Sequence, residues 1–291
     1  MMTPRTILLP TDFSGRCDRP RDRAVQLARH WGARLVLLHV TREPDRITPL
    51  DERQAEAART EARLRAEVKD EAIAVTTRLA SGDVAEAIVE ASAEFSADLI
   101  VTGISRRDEI GDFVVGTTVE RTVRHARVPV LVVKQRVQQD DYLRVMIATD
   151  FSDCSAAALR TAVAVFPGAE ITLLHAYEVA LETLRGREGP AAAQQAEIAL
   201  DLEAFLEGVG LPADVCSRLE INVDYGDVCR VACDHVQSSN TDLAVIGTHG
   251  RSGFVAAMLG STARALLACL DCDVLLIRQH TAPNDTMTQE K

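Results

Sequence analysis

Between Gly247 and Thr262 the chain reads GTHGRSGFVAAMLGST, a glycine-rich loop that follows a short apolar run and leads into a helix opened by Gly260-Ser261-Thr262. Glycine lets backbone N–H groups come close to an anion, and a helix N-terminus adds unpaired donors and the positive end of the helix dipole. The chemistry on offer is the holding of a phosphate chain. Ser261 and Thr262 supply hydroxyls that serve as helix caps or as phosphate donors, and the two roles are compatible. His249 reads either as a further donor to phosphate or as a solvent-facing loop histidine. The loop has neither the Gly-Lys-Ser/Thr ending of a Walker A sequence nor a G-x-G-x-x-G pattern, and no nucleophile–base pair stands beside it. Taken alone, a glycine-rich strand-to-helix turn also arises for steric reasons.

The loop belongs to a chain that is written twice. ILLPTDFS at 7–14 returns as VMIATDFS at 145–152, LVLLHV at 35–40 as ITLLHA at 171–176, and ADLIVTG at 97–103 as TDLAVIG at 241–247. The offset is 138 residues at Asp12/Asp150 and 136 at His39/His175, and it settles at 144 from Gly82/Gly226 through Gly116/Gly260. A period of this length is a duplicated domain rather than a solenoid repeat. The 291 residues also suit two domains that each bury a core. We place them at 1–138 and 139–291, with a linker at 135–142 and a disordered polar tail from about 280.

Each half reads as five strands alternating with helices. The strand candidates are 5–10, 34–40, 73–79, 98–103 and 129–133, then 144–149, 170–176, 218–223, 242–247 and 273–277. They are short Val/Ile/Leu-rich runs, as expected of parallel strands buried on both faces. Ala24, Leu27, Ala28 and Trp31 recur at helical spacing, as do Leu159, Ala162, Val163 and Phe166, and Val84, Ala87, Ile88 and Ala91. The stretch 51–72 is nearly all Glu, Arg and Ala and should lie on the surface. Its counterpart at 191–209 should bury Ile198, Leu202, Phe205 and Leu206. The alternation implies an α/β fold: two tandem doubly wound, five-stranded parallel sheets with helices on both faces.

With this frame the spacing of the loop becomes more specific. Gly247, Gly250, Gly260 and Ser261 match, position for position, the G-2x-G-9x-G(S/T) pattern of ATP-binding members of the universal stress protein family. The resemblance extends to TDFS after the first strand, to the LLH ending of the second, and to the Gly-Asp pair before the third helix of both halves. It covers nearly the whole chain, which resembles the tandem form of that family. The resemblance implies a Rossmann-like sheet of strand order 3-2-1-4-5, with ligand at the reversal between strands 1 and 4, beyond their carboxyl ends. By the same resemblance Thr149, Asp150 and Ala176 would line an adenosine pocket, with the backbone of Ala176 and Ile246 near the base. Gly247, Thr248, His249, Gly250, Gly260, Ser261 and Thr262 would surround ribose and phosphates, and the cofactor would be ATP, with which Mg²⁺ is compatible. For Asp150 a turn acid or helix cap is the plainer role, and its side chain can serve both.

The first half departs from the pattern. Its loop, GISRRDEIGDFVVGTT, keeps Gly103, Gly116 and Thr117 but has Arg106 where the second glycine should stand. Arginine lacks glycine's close approach and its access to positive φ. Arg106 therefore either closes this site or replaces the lost contacts with a charge-assisted bond to phosphate. Asp12 and Val40 are the matching adenosine-side positions.

Composition excludes other classes. The net charge is −11, and residues 1–138 carry 22 Lys+Arg against 21 Asp+Glu, whereas 139–291 carry 10 against 22. This balance argues against nucleic acid as the main partner, and the arginines of 16–65 alternate with acids as on a solvated helix face. No apolar run reaches the ~20 residues that span a bilayer, and the N-terminus lacks the pattern of a signal peptide, so a cytoplasmic protein is expected. Of the seven cysteines, Cys229/Cys233 and Cys269/Cys272 have ligand spacing for a four-thiolate zinc site. The topology should hold the pairs a strand length, roughly 17 Å, apart, which favours reduced and mostly buried thiols. Cys17 and Cys154 follow the two DFS turns near the clefts, and His39 and His175 read as structural hydrogen-bonders at matching strand ends.

The fifth strands, 129–134 and 273–278, are apolar edges open to pairing. The family pairs such strands antiparallel, so the halves should form an internal pseudo-dimer, and two chains are expected to associate further into a homo-oligomer. The reading is an ATP-binding stress-response regulator or sensor with an unidentified protein partner. It has two rivals: an interaction module that binds no nucleotide, which co-purifying nucleotide would exclude, and a slow ATPase or nucleotidyl transferase, which turnover with an acceptor would reveal.

Overall fold

The apolar runs fold as strands because each can bury both of its faces. The computed structural model describes residues 3–41, 49–106, 113–114, 116–138, 141–178, 189–249 and 259–278. The predicted tail from about 280 lies outside these residues. In the first half the order is β1 (Thr6–Pro10), α1 (Asp18–Trp31), β2 (Arg34–Thr41), α2 (Leu50–Ala66), β3 (Val75–Ser81), α3 (Val84–Glu94), β4 (Leu99–Gly103), β5 (Ser105–Arg106), β6 (Phe113–Val114), α4 (Thr117–His125) and β7 (Val130–Val133). The second half follows with β8 (Arg144–Ala148), α5 (Asp153–Val165), β9 (Glu170–Tyr177), α6 (Gly189–Val209), α7 (Ala213–Cys216), β10 (Glu220–Tyr225), α8 (Val228–Ser239), β11 (Leu243–Gly247), α9 (Ser261–Cys269) and β12 (Asp273–Ile277).

Both halves have the expected order 3-2-1-4-5, and they join into one ten-stranded sheet, β10-β9-β8-β11-β12-β7-β4-β1-β2-β3. All neighbours are parallel except the central pair, where β12 runs antiparallel to β7 with Leu275 opposite Leu131. The fifth strands thus meet as expected. Alternate residues feed two cores. Ile7, Leu9, Leu35, Leu131 and Leu275 face the layer of α1, α2, α5 and α6. Leu8, Val36, Val130, Val274 and Leu276 face that of α3, α4, α8 and α9. No helix among the described residues is long and apolar enough to cross a membrane.

Several expectations are corrected. The strand expected at 73–79 is Val75–Ser81 and that at 218–223 is Glu220–Tyr225. Helix α2 ends at Ala66 rather than 72 and buries only Leu64, as its polar composition requires. In α6, Phe205 is buried, but Ile198, Leu202 and Leu206 are half-buried. The short β5–β6 hairpin and α7 carry no periodic signal and were not anticipated.

The linker also packs into the fold. Its last residue, Tyr142, is fully buried and packs edge-on against Phe166, at 5.4 Å between ring centroids. The preceding strand end is buried too: Lys134 donates through Nζ to the Leu267 and Leu270 carbonyls, both at 2.6 Å. These oxygens lie at the C-terminal end of α9, where a cation is favoured by the helix dipole. Asp273 completes the junction. Its Oδ1 accepts from the backbone N–H of Lys134 and Gln135, and its Oδ2 lies 3.4 Å from Nε of Arg23, so the two halves share one buried polar cluster.

Candidate functional site

In both halves the residues after the first strand make the same turn. Thr149 Oγ1 accepts from Phe151 N–H at 3.0 Å, and Asp150 Oδ1 accepts from Ser152 N–H at 3.1 Å. These bonds hold Phe151 at φ 61°, a left-handed conformation costly for a side chain of this size, by about 1–3 kcal/mol. Its ring stacks on His175 at 4.3 Å, and His175 Nδ1 bonds the Thr149 carbonyl at 2.9 Å. Thr11, Asp12, Phe13, Ser14 and His39 repeat the arrangement, with Phe13 also at φ 61°. Both histidines thus have the structural bond expected of them. Asp150 serves as a turn acid, while the cap of α5 is Ser152, whose hydroxyl accepts from Ser155 N–H.

The turn forms one wall of a cavity of about 480 Å³ at the carboxyl ends of β8 and β11. This is the point where the strand order reverses. Strand β8 and the residues after it contribute Ala148, Thr149 and Asp150, and β9 contributes His175 and Ala176. From β11 and beyond come Ile246, Gly247, Thr248 and His249, and from the start of α9 Gly260, Ser261 and Thr262. The described second-half residues singled out from sequence are therefore brought together; Gly250 lies outside the described residues. Ser155, Val228, Ala232 and Leu266 also line the cavity and were missed. The signal for Val228 and Ala232 was available: they stand four apart on the helix after Gly226-Asp227.

Two glycines permit the close packing of this wall. A Cβ on Gly247 would sit 3.0 Å from the backbone carbon and the sulfur of Cys154, and one on Gly260 would sit 3.1 Å from the Thr248 carbonyl oxygen. That oxygen also accepts from Gly260 N–H at 2.9 Å, which brings the loop's two ends together.

Two polar features stand at the cavity. Helix α9 has Gly260 at its N-cap and no side-chain cap, whereas α5 and α8 are capped by Ser152 and Asp227. Its first N–H groups therefore lack the side-chain acceptor that the other two helices have. His249 Nδ1 is engaged by Thr248 Oγ1 at 2.9 Å, while its Nε2 is buried and has no hydrogen-bond partner among the described residues. Thr248 is buried, so this pair orients the imidazole instead of presenting a nucleophile. An uncapped helix start on the cavity wall suits an anionic group with several acceptor oxygens.

The first half arranges its counterparts differently. Asp12 and Val40 lie at the ends of β1 and β2, Gly103 ends β4, and Thr117 opens α4 behind an uncapped Gly116. The backbone at Arg106 is tied into the hairpin with Phe113. Burial works to raise the Asp12 carboxyl, but hydrogen bonds from Ser14 and Cys17 outweigh it and hold it below the usual range. Arg121 bonds Asp83 at 2.6 Å and lies 3.4 Å from Glu86, pinning α4 to α3. Ala265 takes the matching position in the second half, so α9 has no such tie to α8.

The cysteine expectation is overturned in part. Helix α9 is only nine residues long, and its last turn lies beside the start of α8. Cys233 Sγ reaches the Cys269 carbonyl at 3.5 Å, and the thiols of Cys229 and Cys233 hydrogen-bond that of Cys269, so the pairs are not a strand length apart. Burial, then these contacts, push the Cys269 thiol well up. Among the described residues no group of three or more His, Cys, Asp or Glu is arranged to hold a metal ion.

A duplicated, doubly wound α/β chain with a cleft at its strand reversal defines a class of tandem, Rossmann-like proteins. Residues 3–134 and 141–278 each match the universal stress protein family, and the chain belongs to it. It is 30% identical over 220 residues to a universal stress protein of Mycobacterium tuberculosis, covering 72% of this chain and 71% of that one. A shorter universal stress protein of Thermus aquaticus is 35% identical over 138 residues, 45% of this chain and 98% of the relative. A crystal structure of a putative universal stress protein from Pseudomonas aeruginosa shares the fold, with a TM-score of 0.65 at 20% identity over 94% of this chain and 93% of that one.

Proposed function

We propose that the protein binds ATP in the second-half cavity and acts as a cytoplasmic stress-response regulator, with 1–138 and 139–291 as its two units. The observation that carries this reading is the start of α9, which has no side-chain cap and lines the cavity at the strand reversal. The phosphates would take the N–H groups and hydroxyls of Ser261 and Thr262 and a donor from His249. The adenosine would lie over Ala176, Val228 and Ile246, with Thr149 and Asp150 as its polar neighbours. Bound ATP supplies charge and a phosphoanhydride, and Mg²⁺ would neutralise part of that charge. The chain adds no evident base to activate water, so occupancy rather than turnover is the signal, read by a protein partner. The first-half site, at Asp12, Val40, Gly103, Arg106, Gly116 and Thr117, is the weaker one, and further pairing of chains would be a separate homo-oligomeric step.

Calorimetry with ATP, with and without Mg²⁺, tests the reading on the wild type and on Gly250→Arg, which copies Arg106 into the second half. One site lost on substitution supports it. Wild-type protein that binds no ATP would sink it and leave the interaction module as the better account.

A further inference from the structure

On the opposite face of the sheet from α3 and α4, the first half holds a second cavity of about 580 Å³. It opens between the turn at Gly15 and Arg16, the first residues of α1, Ile104 beyond β4, and the chain leaving β7 at Lys134, Arg136 and Val137. None of these residues belongs to the ATP cavity.

Its walls are cationic in a protein of net charge −11. Four arginines line it, Arg16, Arg19, Arg21 and Arg136, against two acids, Asp18 and Asp22. Arg21 occupies both acids, lying 3.0 Å from Asp18 and 3.1 Å from Asp22, and it also holds Glu67 at 3.0 Å. Arg19 donates to the Lys134 carbonyl at 2.6 Å, which fixes its guanidinium on the wall without neutralising it. Lys134 contributes only its backbone, since its ammonium is turned into the junction. Arg16 and Arg136 are exposed, and neither makes a hydrogen bond or ion pair among the described residues. Four guanidinium groups thus line one hollow against two carboxylates, and Arg16, Arg19 and Arg136 make no ion pair among the described residues.

The duplication supplies an internal comparison. Carrying the 138-residue offset of Asp12 and Asp150 along the helix sets Cys154 against Arg16 and Ala157 against Arg19. The offset is sound here, because Ala24 and Ala162 are both fully buried and the sulfur of Cys154 and the carbonyl of Arg16 pack on Gly247 and Gly103 respectively. The shared fold therefore does not require cations at these positions.

We infer that this cavity binds an anion carrying two or more linked phosphate groups. Guanidinium forks match phosphate oxygens in paired hydrogen bonds and shed water more readily than ammonium groups do. Three such forks around a hollow of this size suit several phosphates rather than one. The ligand is either an inorganic oligophosphate or the phosphate chain of a nucleotide. The inference does not depend on ATP binding in the second half.

The test is calorimetry with sodium tripolyphosphate at low salt on three proteins: wild type, Arg16→Gln/Arg136→Gln, and Gly250→Arg. Both arginines are exposed, so the double variant should fold, and an unchanged melting curve checks this. The expected result is a tripolyphosphate site in the wild type that is weakened at least tenfold in the double variant and retained in Gly250→Arg. Equal affinity in wild type and double variant, no binding to the wild type, or loss in Gly250→Arg alone would each overturn the inference. Where the arginine dependence holds, competition in Gly250→Arg identifies the source: displacement by ATP assigns a nucleotide's phosphates, and failure to displace assigns an inorganic chain.

Discussion

The phenol of Tyr142 donates to Oδ2 of Asp273 at 2.6 Å, and neither side chain reaches solvent. One residue comes from the segment between the halves and the other from the start of the last strand. Arg23 joins them, with its guanidinium 4.3 Å above the Tyr142 ring. Burial, then the neighbouring Asp273, push the phenol well above its ordinary range, so it remains a donor.

Removing the carboxylate should therefore be costly. Asp273→Ala leaves Arg23 buried without its counter-charge and deprives Tyr142 and two backbone N–H groups of an acceptor. We expect a loss of about 3–5 kcal/mol, against about 1–3 for Tyr142→Phe, measured by urea unfolding. The double variant should cost less than the sum of the two, since the residues share one bond.

Lys134 ties the stability of the junction to pH. Burial lowers its ammonium from 10.5 to about 8. Between about pH 8 and 10.5 the unfolded chain then binds more protons at this group than the folded one, so its contribution to stability rises with pH across that window. Cys272 acts oppositely: burial pushes its thiol from 9.0 up to about 12, and its contribution falls as pH passes 9. Melting temperatures of wild type and Lys134→Gln should thus differ by an amount that shifts in favour of the wild type above pH 8. A difference constant from pH 7 to 10 would contradict this.

Gly247 leaves no room for a methyl group. Gly247→Ala should destabilise by about 1–3 kcal/mol through contact with the Cys154 backbone, and it should weaken the proposed ATP binding by pushing β11 from α5. Thermal melts with and without ATP separate the two effects.

The thiols between α8 and α9 should be sluggish. Burial raises Cys229 and Cys269, and thiolate is the reacting form. At pH 8 iodoacetamide should label both slowly in the folded protein and rapidly in urea, as followed by mass spectrometry.

The strands were legible because parallel strands buried on both faces must be runs of apolar residues, and their order followed from the family resemblance. The cavity walls were legible because the glycines fall at fixed spacing after a strand. The junction was not. Lys134 and Asp273 looked like polar ends of apolar strands and Tyr142 like the end of a linker, since only the antiparallel pairing of β7 and β12 brings them together. The cysteine cluster was misplaced for a similar reason: sequence shows the length of α9 but not how far along α8 it ends.

Because β7 pairs with β12 inside one polypeptide, the two halves stay matched at any dilution. Each half meets a partner fixed by translation and need not recognise a copy of itself. The halves are thereby free to drift apart in charge and in loop sequence. A glycine-built cleft in one and an arginine-walled hollow in the other can coexist because no symmetry obliges them to agree.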